Sequence, residues 1–163
     1  MFNLDQRAAG VLLHVTSLPG PHGIGDFGPD AFRFVDWLKD AGQTIWQWLP
    51  VNPIGPGNSP YQSVSAFAGS PLMIALEGLV ANGWLKAPTL PEGGFEAHKV
   101  DFGKVVEWRN AQLRQAYAGY VAKNAPAERA AKAAWAQQEA YWLDDYVLFM
   151  ALETAHGGMP WWT

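Results

Sequence analysis

Apolar and polar residues fall along this chain in blocks, and the blocks predict its elements. The run GVLLHVTSL, residues 10–18, is apolar and partly β-branched and is stopped by Pro19-Gly20. It reads as a strand covered on both faces. A loop rich in Gly and Pro follows, and Asp30 after Pro29 predicts a capped helix over AFRFVDWLKDA. Ala31, Phe34, Val35 and Leu38 give that helix one apolar face, and Gly42 supplies its stop. TIWQWLPV, residues 44–51, reads as a second strand. Strand, helix, strand is a βαβ unit, for which a right-handed crossover and parallel strands are expected.

Beyond Val51 the period is lost. NPIGPGNSPYQSVSAFAGSP is a long structured loop, too interrupted for a strand and without a helical repeat. Loops of this length in a domain are mostly functional or disordered, and its Tyr, Phe and Val positions argue against disorder. LMIALEGLVANGWL reads as a short extended piece and a helical turn closed at Asn82-Gly83, and residues 86–103 as a further loop. Two long helices finish the chain. The first places Val106, Leu113, Tyr117 and Tyr120 on one face. The second starts at Pro126, is expected to bury Trp135, Trp142, Tyr146 and Phe149, and ends at Gly157-Gly158.

Composition narrows the field. The 163 residues are 49% hydrophobic and 16% charged, which suits one folded domain. The net charge is −4 and the eleven Lys and Arg are scattered singly, so nucleic acid and anionic membranes are poor partners. No run approaches the roughly 18 apolar residues of a membrane span. There are no cysteines, which rules out disulfides and thiolate metal sites and fits a reducing, cytoplasmic setting. Nine Trp, five Tyr and eight Phe supply either core volume or flat faces for sugar rings. Two parallel strands leave open sheet edges, and the final MPWWT is apolar where a terminus is usually polar. The chain therefore reads as one unfinished domain.

Candidate chemistry is sparse. His14, His22, His98 and His156 lack paired ligand spacing, and no G-x-S-x-G elbow occurs. Gly23, Gly25 and Gly28 fit a dinucleotide fingerprint by letters alone, without the ribose-binding acid. Asp144 and Asp145 are neighbours on a helix and point about 100° apart, as on a solvated face. Asp26 follows strand one, at the end where α/β folds keep their sites, with no second acid placed beside it by sequence. The loop after strand two lies at the same end. There Asn58, Ser59 and Gln62 offer hydrogen bonds and Tyr61, stiffened by Pro60, offers a ring. This suits a polyol with apolar faces, although Tyr61 and Ser59 can equally serve the loop's own structure.

Three blocks make a sharper case: GVLLHVTSLPGPHGIGDFG, WQWLPVNPIGPGNSPYQSVSAFAGSPLMI and WLDDYVLFMALETAHGGMPWW. Together they resemble the amylomaltases, the 4-α-glucanotransferases or disproportionating enzymes of glycoside hydrolase family 77. The resemblance implies an α/β fold: the N-terminal part of a (β/α)8 TIM barrel, with its first two parallel strands, the connecting helix, an irregular insertion over 52–103 and long helices. It implies a cofactor-independent transfer of α-1,4-glucan segments between maltooligosaccharides by a retaining double displacement. It also implies that the three family acids lie beyond Thr163, which would leave residues 1–163 an inactive portion of the enzyme. A non-catalytic maltooligosaccharide-binding or assembly module is the alternative. On the same resemblance, Tyr61 matches the tyrosine that stacks on the donor sugar, and Ser59 a hydroxyl lining the cleft. Asn58 stands where an Asp is expected. Pro56 and Phe102 stand where some relatives carry tyrosines for a secondary glucan-binding surface, which leaves that surface an open question here.

Overall fold

The expected strand–helix–strand unit opens the chain, in shortened form. The computed structural model describes Asp5 and residues 7–158, and MPWWT lies outside them. Strands β1 (Gly10–Leu12) and β2 (Ile45–Gln47) pair in parallel, with Gly10 opposite Ile45 and Leu12 opposite Gln47. Strand one does not reach residue 18 as expected. The chain turns into a 3-10 turn over Val15–Ser17, which carries Val15 fully inside. Strand two likewise ends before Trp48, whose ring packs edge-on against Trp46 and Phe27. Nor are the strands covered on both faces within the described residues, since Leu12 is 61% exposed.

Helix α1 (Pro29–Asp40) is capped by Gly28, not by Asp30. Pro29 takes the first helical position, where its missing N–H is no loss. Asp26 Oδ1 accepts the Gly28 N–H at 2.9 Å. Asp30 sits in the first turn, where its charge suits the helix dipole, and pairs with Arg33. Ala31 and Leu38 are buried and Phe34 meets Trp46 edge-on at 5.0 Å, whereas Val35 is exposed. Gly42, at φ 71°, ends the helix as expected. Its N–H bonds Lys39 O, and the Gln43 N–H bonds Leu38 O, the paired pattern of a left-handed C-terminal cap.

The core lies away from the sheet, along helix α3 (Phe102–Lys123). Ile24, Leu72 and Val105 form one cluster with Ile54, Phe95 and Phe102 packed against it. Leu76, Leu85 and Ala116 form another, under helix α2 (Leu76–Ala81). The seam of α3 that is buried holds Val105, Arg109, Gln112 and Ala116. It is rotated from the expected face, on which Val106, Leu113 and Tyr120 are half-buried and Tyr117 is exposed. Two polar residues on the inner seam disguise it in the apolar pattern.

The last helix is two, α4 (Pro126–Gln138) and α5 (Ala140–Ala155). They part at Glu139 (φ −96°, ψ 4°), whose carboxylate accepts the Trp142 indole N–H at 2.6 Å. The expected burial is not met on these helices. Trp135 and Phe149 are exposed, and Trp142 and Tyr146 are half-buried. Too little of the described chain packs on them to cover their rings. Gly157 and Gly158, both at positive φ, end α5 as expected. No helix among the described residues is long and apolar enough to cross a membrane.

Candidate functional site

The loop after β2 is closed at its base. The Ser70 N–H donates to Val51 O at 2.8 Å, and Asn52 Nδ2 donates to Ala68 O at 3.0 Å. Inside, Ser65 Oγ accepts the N–H groups of Phe67 and Ala68. These bonds satisfy backbone that has no ladder to join.

All four residues singled out by sequence lie on one tight turn within this loop. Gly55 N–H donates to Ser59 O at 3.0 Å and Asn58 N–H to Gly55 O at 3.1 Å. A side chain at Gly55 would meet the Gln62 carbonyl at 1.8 Å, so closure needs glycine there. Asn58 adopts φ 61°, a left-handed conformation that Asn tolerates better than most residues. The Ser59 hydroxyl accepts the Tyr61 N–H at 3.3 Å and so helps to set the turn. Asn58 and Gln62 are exposed and Ser59 is half-buried. Tyr61 stands 71% exposed on this frame, its ring open to a ligand.

A second feature joins the loop after β1 to the core. Arg109, with no exposed surface, donates from Nη2 to Asp26 Oδ2 at 3.0 Å and to Ile74 O. Beside this pair, His22 stacks on Trp108, and its Nδ1 lies 3.6 Å from Glu77 Oε1. Sequence offered no second acid for Asp26 and no clustered ligands for a metal. The fold brings His22, Asp26 and Glu77 together with one ligand atom each inside 4.8 Å. The guanidinium supplies a fixed cation at Asp26, so one of the two carboxylates is paired within the cluster.

The electrostatics follow from burial. Desolvation raises the Asp26 pKa, and Arg109 opposes that by charge and hydrogen bond. Desolvation lowers the His22 pKa, with Glu77 opposing. Arg109 Nε and Nη1, His22 Nδ1 and Glu77 Oε2 are buried without hydrogen-bond partners among the described residues. Arg109 itself was not legible as a site residue, since a lone Arg on an amphipathic helix carries no local signal. Asp144 and Asp145 are exposed, as expected of a solvated helix face.

A family model described as 4-alpha-glucanotransferase matches residues 13–163. The 4-alpha-glucanotransferase of Thermus thermophilus is 50% identical over 155 residues, covering 95% of this chain and 30% of that protein. That of Synechocystis is 42% identical over 159 residues, covering 97% of this chain and 32% of its own length. Among solved structures, an amylomaltase from Streptococcus agalactiae in complex with acarbose superposes with a TM-score of 0.85 at 34% identity. It covers 94% of this chain and 31% of that one. The chain thus spans about a third of the length of the relatives it matches.

Proposed function

The chain belongs to the 4-alpha-glucanotransferase family, and from that premise we propose that the protein transfers α-1,4-glucan segments between maltooligosaccharides, with the loop after β2 forming one wall of its substrate cleft. Residues 1–163 would contribute the first two strands of a (β/α)8 barrel, with an insertion over 52–103. One observation carries the cleft assignment. A loop at the carboxyl end of a parallel strand, where such folds place their sites, presents Tyr61 outward on a turn closed by Gly55, Ser59 and Gln62. The Tyr61 ring would stack on the donor sugar, while Asn58, Ser59 and Gln62 would face its hydroxyls. The absence of cysteine suits a reducing, cytoplasmic setting.

In a retaining transfer one carboxylate attacks the anomeric carbon as a carboxylic acid protonates the departing 4-oxygen. The acceptor's 4-hydroxyl then displaces the carboxylate, returning its proton to that acid/base. Asp26 and Glu77 are neighbours, with an oxygen of each inside 4.8 Å, but Asp26 is poorly suited to the task. Its side chain is 12% exposed, and its two oxygens are engaged by Gly28 and Arg109. On the family resemblance, the catalytic carboxylates are expected beyond Thr163.

The test is disproportionation of maltotriose. The protein carrying these residues together with the expected acids should release glucose and longer maltooligosaccharides. Residues 1–163 alone should release neither. Transfer products from residues 1–163 alone would move the chemistry to Asp26 and Glu77. Tyr61→Ala should cost about tenfold in kcat/KM, the factor carried by ~1.4 kcal/mol, since aromatic contacts contribute about 0.5–1.5 kcal/mol beyond burial.

A further inference from the structure

Arg109 reaches across the fold from the middle of α3. It is 83 residues from Asp26 and 35 from Ile74 in sequence, and its Nη2 holds both. Ile74 closes the returning leg of the loop that carries Tyr61. Upstream on that leg, Met73 O accepts the Phe27 N–H at 3.2 Å, and the Met73 N–H donates to Ser70 O at 3.0 Å. The Ser70 N–H is in turn anchored on Val51, in the segment that follows β2. Asp26 spends its other oxygen on Gly28, the cap of α1. One guanidinium therefore joins the β1–α1 loop, the base of the Tyr61 loop and α3.

A buried arginine that leaves Nε and Nη1 without hydrogen-bond partners among the described residues is costly to keep for stability alone. An apolar side chain of similar volume often serves a core as well or better. What an apolar side chain cannot supply is a planar, directional donor that fixes two acceptors relative to one another.

We propose that Arg109, with Asp26, is a positioning residue for the proposed reaction: it sets the base of the 52–71 loop and thereby the place of the Tyr61 ring over the sugar. This rests on the glucan-transfer reading of that loop. Neither side chain is assigned a contact with substrate.

The test is a double-mutant cycle between Asp26→Asn and Tyr61→Ala in the protein carrying these residues and the expected acids, with maltotriose as substrate. Asp26→Asn preserves shape and leaves one oxygen for Gly28 but turns a donor toward Arg109. Alone it should lower kcat/KM about tenfold, splitting between kcat and KM as Tyr61→Ala does. In the Tyr61→Ala background it should cost less than about twofold, because the ring it positions is gone. If the two factors multiply, or if Asp26→Asn matches the parent, the proposal is overturned. If Asp26→Asn does not fold, Arg109→Lys, which keeps the buried charge without the planar fork, takes its place in the same cycle. Failure of both to fold would make the network a folding element and overturn its loop-specific role. A parent without transfer activity would overturn the functional reading and this inference with it. An active parent with multiplying factors would overturn this inference alone.

Discussion

At the scale of single residues, the Tyr61 turn makes the strictest demands. Gly55→Ala would drive a methyl into the Gln62 carbonyl, and overpacking of that kind costs about 1–3 kcal/mol. The expected result is faster proteolytic nicking within 52–71 while cleavage elsewhere is unchanged. Asn58→Ala should destabilise by about 1 kcal/mol, because most L-residues disfavour left-handed φ, whereas Asn58→Gly should be close to neutral in thermal melting. His22 and His14 give a pH dependence, as burial lowers both pKa values below the ordinary 6.5. Between the lowered values and 6.5 the unfolded chain binds protons that the folded chain does not, so stability falls as pH drops through that window. A His14→Gln/His22→Gln double variant should show a shallower decline of melting temperature below pH 6.5.

At the scale of elements, helix ends were legible where one residue decides them. Gly42, Asn82-Gly83 and Gly157-Gly158 all end helices as read, because a left-handed or turn-forming residue is a local fact. Strand lengths were not, since an apolar run such as GVLLHVTSL can leave the sheet and still bury Val15 in a turn. The inner seam of α3 was missed because Arg109 and Gln112 lie on it. The break at Glu139 was missed because the apolar period runs through it. For the candidate site, the loop and its outward tyrosine could be read from Pro, Gly and position. His22, Asp26, Glu77 and Arg109 could not, since tertiary folding alone brings them together.

One element-scale contact is open to direct test. Glu128, in the first turn of α4, accepts from Lys123 Nζ at 2.5 Å and from the Trp84 indole at 2.9 Å, joining α4 to the end of α3 and the segment after α2. Glu128→Ala should speed amide exchange over residues 126–138 and leave α1 unchanged.

At the scale of the whole molecule, α5 presents apolar side chains on every side, as buried helices do. Tyr141, Val147, Leu148, Phe149 and Leu152 are all exposed in this chain. Apolar surface of this kind promotes association. Residues 1–163 alone should therefore scatter light increasingly with concentration and bind a hydrophobic dye, and Leu148→Lys/Leu152→Lys should reduce both.

The reach of Arg109 also has a consequence in time. A ribosome adding about 5–20 residues per second delivers Ile74 roughly 2–7 s before the arginine that holds it, 35 residues later. The loop is made before the arginine that holds its base. During synthesis, then, the Tyr61 loop must pass an interval in which its base has no hold on α3, and folding catalysts or proteases acting in that interval would meet it still unset.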